Sequence, residues 1–306
     1  MKPNRIVGLI FLVAANLILA ACANSGATFA PLDENSVPSP ISPPADFSIP
    51  DGWVLFPAPK AESPERSCAN RAIESERKVA LVDGILSISG YTYPHAEELG
   101  KLPQNLREIV RKDKMAKGRL HIEPFENGWL IGADAGEWGG DLFWLSGDGK
   151  RKVELIEGNV RGIVKLVGGE VFILTGYAHM SDHEGKLYKL TTGENGALKA
   201  KLLSDLKTQP QAFAVESNES FLVALDDIIL RVKASGRIEL LKKTNFASLH
   251  PNSMTVTSSG VIYVGMRLFV ARFVPRENGY AEEWLVPQNC RKFLEKDFDC
   301  VCQTGK

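Results

Sequence analysis

The sequence lacks the short motifs that mark the most common catalytic and nucleotide-binding sites. It contains no G-x-S-x-G elbow for a nucleophilic serine, no H-E-x-x-H zinc pair and no glycine-rich phosphate loop before a helix. The C-x₂-C pairs that build four-thiolate metal sites are also missing. The sequence therefore gives no support to the enzymes and binding proteins that depend on these motifs.

An excess of charge of one sign is absent as well. Lysine and arginine together number 36 and aspartate and glutamate 37, which gives a formal net charge of −1. A chain without a basic excess offers no electrostatic case for binding to nucleic acid. We therefore expect no nucleic-acid partner.

Long hydrophobic runs are confined to one stretch near the start of the chain, residues 6–21. This run has about sixteen residues, whereas a membrane-spanning helix needs roughly twenty. Lys2 and Arg5 lie before it, and a basic start followed by a short apolar run is typical of a signal peptide. Residues 1–21 are therefore predicted to be cleaved from the protein.

The apolar run ends in the sequence LAAC, Leu19–Cys22, which resembles the lipobox of bacterial lipoproteins. The resemblance implies that Cys22 becomes the N-terminus and carries palmitate among the acyl chains that anchor it in a membrane. Ala23 occupies the position where an aspartate would resemble an inner-membrane retention signal. The resemblance therefore implies the outer membrane, with the protein facing the periplasm. An ordinary secretory signal is the alternative.

Residues 22–50 are rich in proline, serine, alanine and asparagine and contain few large apolar side chains. Such a stretch buries too little surface to offset its chain entropy, so we predict a flexible tether after the lipidated N-terminus. Residues 51–306 are long enough to form a single all-β domain.

Cysteine is scarce, with five in the chain. Apart from Cys22 an even number remains, and an oxidising compartment favours disulfide bonds between them. Two of these residues are separated by one position and would point to the same face of a strand, so they are poor partners for each other. The connectivity stays open. The disulfide candidates are Cys68, Cys290, Cys300 and Cys302.

Tight turns recur at a regular interval along residues 51–306. They centre on Gly84, Gly128, Gly169, Glu219 and Gly260, at spacings of 44, 41, 50 and 41 residues. Segments of strand length surround these turns in groups of four. A period of this size with four strands in each unit is typical of β-propeller blades. The sequence predicts an all-β protein, a β-propeller of four-stranded blades with five repeats visible and five to seven blades possible.

Across these repeats the chain resembles β-propeller proteins, and also bacterial lipoproteins with GEWGG-LFW-like blades, as at residues 136–144. No WD dipeptide or kelch glycine pair occurs at blade positions, so the resemblance implies no particular propeller class and no activity. The period is interrupted at residues 93–118, where Leu106, Ile109 and Val110 have helical spacing. We predict a short helical insertion in the first repeat.

Two loops carry the candidate binding surface. The first, GADAGEWGGD, joins the second and third strands of one repeat, and GYAHMSDHEGK is its counterpart in the next repeat. An exposed indole beside a carboxylate suits recognition of a sugar or a peptide. The carboxylates and histidines lack EF-hand or zincin order, so we expect no metal and no cofactor. The candidate residues are Asp134, Glu137, Trp138, Asp141, His179, Asp182 and His183.

Three functions fit these observations. The first is a non-enzymatic binding or scaffold propeller, tethered to the membrane, whose partner is a protein or an envelope glycan. The second is an enzyme that acts on a carbohydrate or a small metabolite in the propeller funnel, because propellers gather residues from several blades at one end. The third is an immunity-like lipoprotein that blocks a toxin in the periplasm. No catalytic residue is assigned, since the fold alone does not supply a function.

Overall fold

The structure is a computed structural model that describes residues 47–60, 66, 76–91, 95–112, 118–180, 182–193, 196–246 and 249–290. The chain divides into two units, Met1–Ser36 and Val37–Lys306, and everything described here belongs to the second. Cys22, Cys68, Cys300 and Cys302 lie outside the described residues. The predicted signal peptide, lipidation and disulfide bonds therefore stay predictions, as do the domain boundaries.

Antiparallel strands dominate the fold, and the described residues contain nineteen of them in five sheets. We number the sheets as blades in chain order. Blade 1 contains β2 (Arg77–Val82) and β3 (Ile85–Gly90); blade 2 contains β4 (Arg119–Phe125), β5 (Gly128–Asp134), β6 (Asp141–Ser146) and β7 (Lys152–Glu157); blade 3 contains β8 (Val160–Lys165), β9 (Val171–His179), β10 (Asp182–Thr192) and β11 (Leu198–Asp205). Blade 4 contains β12 (Ala212–Ser217), β13 (Ser220–Ala224), β14 (Ile228–Lys233) and β15 (Ile238–Lys243); blade 5 contains β16 (Ser253–Val256), β17 (Ile262–Gly265), β18 (Val270–Arg276), β19 (Gly279–Pro287) and the early strand β1 (Trp53–Pro57).

Blades 2, 3 and 4 each have four strands in sequential up-and-down order. The predicted β-propeller with one sheet for each visible repeat is therefore confirmed. The tight turns form where the glycine pattern placed them, for example between β4 and β5, where Phe125 is paired with Gly128.

The first strand of each blade lies next to the first strand of a neighbouring blade. Strand β4 contacts β8, and β16 contacts both β12 and β2, so the last blade adjoins the first. Hydrogen bonds join blades 1 and 5, among them Arg77 N to Met266 O at 2.8 Å and Val79 N to Ser253 Oγ at 3.0 Å. Strand β1 pairs with β19, so the N-terminal part of the body adds a fifth strand to blade 5.

The hydrophobic core lies between the blades as a series of clusters. Phe172 of blade 3 packs on Phe221 of blade 4 with ring centroids 5.0 Å apart. Trp144 of blade 2 is only 4 % exposed. At Gly162 a Cβ atom would lie 2.2 Å from the ring of Phe213, so the close approach of blades 3 and 4 requires glycine there.

Blade 1 has only two strands in the described residues, and two helices follow them. Helix α1 (His95–Gly100) and helix α2 (Gln104–Lys112) confirm the predicted helical insertion in the first repeat. Leu102, Leu106 and Val110 recur every four residues, so they form one apolar stripe that packs on the sheet of blade 2. The helices thus cover the face of blade 2 that the outer strands of a complete neighbouring blade would cover. Among the described helices none is long and apolar enough to cross a membrane.

Truncation of Leu106 tests the role of these helices. Leu106 is fully buried, so Leu106→Ala should lower the free energy of unfolding by about 2 to 5 kcal/mol, as core truncations of this type do. Urea unfolding followed by circular dichroism measures it. Glu108→Ala on the exposed side of the same helix is the matched control and should change little. Equal effects of the two changes would show that the helices do not stabilise blade 2.

Candidate functional site

The loop between β5 and β6 is a closed turn with a fixed backbone. Residues Gly136–Trp138 form one turn of 3₁₀ helix, Ala135 N donates to Gly139 O at 2.9 Å, and Gly139 N donates to Gly136 O at 3.0 Å. Gly139 has φ of 76°, a conformation that glycine adopts without strain. At Gly140 an added Cβ would lie 2.1 Å from Ala133 O, so the loop also needs glycine for close approach to the sheet.

Asn159, in the connection between β7 and β8, holds this loop from the side. Its Oδ1 accepts a hydrogen bond from Ala135 N at 3.1 Å, and its Nδ2 donates to Gly136 O at 2.9 Å. Its own backbone oxygen accepts from Gly176 N in blade 3 at 3.0 Å. Asn159 itself is buried, so its side chain has few alternative partners in water. The loop is therefore fixed to both blade 2 and blade 3.

Trp138 projects from this fixed loop into solvent. Its side chain is 82 % exposed, although indole is a side chain that proteins usually bury in large part. Two open clefts lie on either side of the indole, and Trp138 and Gly136 contribute to both. We call them the acidic cleft and the basic cleft. A large aromatic group held in place before any ligand arrives loses little entropy on binding.

The acidic cleft, with a volume of about 450 Å³, collects carboxylates from blades 2 and 3. Glu137 Oε1 lies 2.9 Å from His179 Nε2, so the loop of blade 2 and the β9–β10 hairpin of blade 3 touch. Partial desolvation and then the negative charges of Glu137 and Asp182 raise the pKa of Tyr177, whose side chain lines the cleft. Its lining carboxylates are Glu137, Asp141, Glu157 and Glu184.

The basic cleft, with a volume of about 540 Å³, contains two arginines from the first strands of neighbouring blades. Arg161 Nη1 lies 2.5 Å from Asp134 Oδ2, and Arg161 Nε donates to Pro210 O at 3.3 Å. Asp134 Oδ1 also accepts from Gly136 N at 3.1 Å, which ties this ion pair to the Trp138 loop. Burial, opposed by the charge of Asp134 and aided by that of Arg119, lowers the pKa of the Arg161 guanidinium.

His121 follows Arg119 by two positions on β4 and therefore points to the same face of the strand. Burial, and then the positive charges of Arg119, Arg161 and Lys101, lower the pKa of His121 to about 3. The imidazole is thus neutral at physiological pH. Its Nε2 is buried and makes no hydrogen bond to any residue within the described ranges.

The structure brings together five of the seven residues of the predicted surface. Asp182, a sixth, lies beside them, because it is paired with His179 across the β9–β10 hairpin. His183 is paired with Ala178, so its side chain points to the opposite face from His179. The structure therefore does not join His183 to this surface. The five that meet around the two clefts are Asp134, Glu137, Trp138, Asp141 and His179.

The remaining predictions concern the cysteines and the absence of a metal. Cys290 is buried after β19, and its three candidate partners lie outside the described residues. In the part of the chain that the structure describes, no three histidine, cysteine, aspartate or glutamate side chains are grouped to hold a metal ion. Neither observation tests the prediction concerned.

Sequence reasoning missed Asn159 and the arginines of the basic cleft. One signal could have found the arginines, because Arg77, Arg119 and Arg161 are 42 residues apart and lie at or next to the starts of β2, β4 and β8. The three arginines do not have equivalent surroundings, since the Arg77 guanidinium lies over the indole of Trp53, 5.5 Å from its centroid. No sequence signal distinguishes Asn159 from an ordinary turn residue.

A scan against protein-family models and a search of curated proteins give no match. Among solved structures, a putative gluconolactonase has a TM-score of 0.36 at 13 % identity. The match covers 78 % of this chain and 75 % of the gluconolactonase chain. The calcium-binding protein regucalcin from Agrobacterium tumefaciens has a TM-score of 0.37 at 12 % identity, with 76 % and 70 % covered. A streptogramin B lyase has 0.37 at 14 % identity, and this chain covers 53 % of it. At these scores the likeness adds nothing to the functional argument.

Replacement of Asn159 tests whether its amide holds the Trp138 loop. Asn159→Ala removes one of the two hydrogen bonds that Ala135 N donates and one of the two that Gly136 O accepts, which should lower the free energy of unfolding by about 1 to 3 kcal/mol. Hydrogen exchange should also become faster across residues 135–140. Asn127→Ala, at an exposed asparagine in the turn between β4 and β5, is the matched control. Unchanged exchange in the Asn159 variant would contradict the role assigned to this amide.

Proposed function

We propose that the protein is a lipid-anchored binding propeller of the bacterial cell envelope that recognises a saccharide with the loops around Trp138. The observation that carries this proposal is the exposed indole, held on a hydrogen-bonded loop that borders both the acidic and the basic cleft. Sugars present an apolar face that packs on aromatic rings and hydroxyl groups that need hydrogen-bond partners. The site supplies both kinds of contact side by side.

The acidic cleft suits hydroxyl groups in particular. Ionised carboxylates accept hydrogen bonds only, and Asp141 and Glu184 lie on the cleft wall where a sugar stacked on Trp138 would present its hydroxyls. His179 and Glu137 hold each other at 2.9 Å, so both side chains are positioned before a ligand binds. An apolar peptide would leave these charged groups desolvated and unpaired, which favours the saccharide over a protein ligand.

Binding is favoured over catalysis by the engagement of the charged groups. Asp134 is ion-paired with Arg161, and Glu137 Oε1 lies within hydrogen-bond distance of His179 Nε2. In the loop between β13 and β14 of blade 4, Asp226 accepts a hydrogen bond from Gln211 Nε2 at 2.9 Å. The alternative, an enzyme with its site in the funnel, is favoured by the cluster of His121 and two arginines. A pKa of about 3 makes His121 a poor general base at neutral pH, however.

The envelope location rests on the lipobox-like sequence before Cys22. Acylation at that residue would keep the propeller near the membrane, and residues 22–50 would give it reach toward the periplasm. An envelope saccharide is the class of ligand that such a tethered binding module would meet most often.

Truncation of Trp138 tests saccharide binding. Trp138→Ala should weaken the affinity for any saccharide that the protein binds by about 10-fold or more, because a central aromatic side chain provides much of the contact energy. A glycan array identifies the ligand, and calorimetry then gives the affinities. The matched control is Val167→Ala, which removes a side chain that is 75 % exposed beside the β8–β9 turn, at the other end of the strands.

If no saccharide binds, or if both variants bind like the unchanged protein, the proposal is wrong. Capture from crosslinked envelopes of a protein partner that Trp138→Ala loses would keep the surface and replace the saccharide with a protein.

Lipid attachment has its own test. In a bacterial host, Cys22→Ser should abolish incorporation of labelled palmitate and move the protein from the membrane fraction to the soluble periplasmic fraction. Ala23→Ser is the matched control and should keep both the label and the membrane location. A Cys22→Ser variant that stays in the membrane fraction would contradict anchoring through this residue.

A further inference from the structure

The basic cleft carries net positive charge among the residues that line it. Arg119 and Arg161 contribute two guanidinium groups and Asp134 one carboxylate, and the neighbouring His121 is neutral. The side chain of Arg161 is only 15 % exposed, and that of Asp134 only 9 %, so water screens this charge poorly. An anion that entered the cleft would offset the repulsion between the two arginines.

The two arginines are held in place by contacts that do not depend on a ligand. Asp134 and the carbonyl of Pro210 fix Arg161. The Arg119 guanidinium lies over the ring of Tyr91, 5.6 Å from its centroid. Guanidinium groups match the paired oxygens of carboxylates and phosphates in a fixed fork geometry. Two such forks on adjacent blades form a site for a small oxyanion.

His121, a neighbour of Arg119 on β4, has a buried ring nitrogen. Its buried Nε2 makes no hydrogen bond within the described ranges, and a buried polar atom without a partner is costly. The imidazole lies on the same strand face as Arg119, two positions further along β4. Arg119, Arg161 and Trp138 line the cleft itself.

Trp138 connects this cleft to the saccharide site. The indole and Gly136 line both clefts, so one ligand stacked on Trp138 can place a substituent over the arginines. We propose that the ligand is an acidic saccharide, whose ring packs on Trp138 and whose carboxylate or phosphate group binds between Arg119 and Arg161. This inference rests on the proposed saccharide-binding function and adds the charge of the ligand.

The test compares glucuronate, glucose 6-phosphate, glucose and inorganic phosphate by calorimetry or ligand-observed NMR. The two acidic sugars should bind at least about 10-fold more tightly than glucose, because each hydrogen bond to a charged group contributes more than a neutral one. Their affinity should also fall as salt is added. Arg119→Gln should weaken the acidic sugars by about 10- to 100-fold and leave glucose unchanged.

Two further variants guard against a trivial loss of structure. Arg119→Lys keeps the charge without the fork and should restore part of the affinity for the acidic sugars. Arg151→Gln removes an exposed arginine from the β6–β7 turn at the other end of blade 2 and should change nothing.

Equal affinities for glucuronate, glucose 6-phosphate and glucose would overturn the inference and leave saccharide binding intact. Equal weakening of all three sugars by Arg119→Gln would have the same meaning. If no sugar binds but inorganic phosphate binds in a manner that depends on Arg119, the saccharide function fails and an anion site remains. If none of the four probes binds, both proposals fail.

Discussion

The side chain of Asn159 accepts one hydrogen bond and donates another, and the two fix the part of the molecule on which the candidate site depends. They hold the backbone of Ala135 and Gly136, and through it the turn that carries Trp138. Asn159 lies between blade 2 and blade 3 and also binds blade 3 through its backbone oxygen. The indole, the Glu137–His179 pair and the Asp134–Arg161 pair are thus all positioned by one junction. A loop with this anchoring presents its exposed aromatic group as a fixed surface.

The rest of the fold explains why that junction can be rigid. Each blade packs on its neighbours, and β1 on the outer edge of blade 5 links the start of the body to its end. Blade 1 is the exception, because helices α1 and α2 follow its two strands and cover blade 2. The site lies on the other side of blade 2, where it meets blade 3. The unusual first repeat therefore supports the blade that carries Trp138 without contributing to the acidic cleft.

The regular part of this architecture could be predicted from the sequence, because turn glycines and strand periodicity are local signals. The turn period predicted four-stranded blades with five repeats visible and five to seven blades possible, and the spacing of Leu106, Ile109 and Val110 predicted a helix that the structure has. Contacts between blades depend on register, which the sequence does not show. In the β9–β10 hairpin His183 is paired with Ala178 and so points away from His179. A register one residue different would place both histidines on the same face. The amide of Asn159 acts across a blade junction, and only coordinates reveal it.

The central claim is that one ligand contacts Trp138 and the basic cleft at once. Its most direct test is an NMR titration with glucuronate that follows two assigned signals in one sample, the indole N–H of Trp138 and the Nε–H of Arg119. If one ligand binds both places, both signals shift together and yield the same dissociation constant. A shift of one signal alone, or two different dissociation constants, would show that the clefts do not form a single binding site.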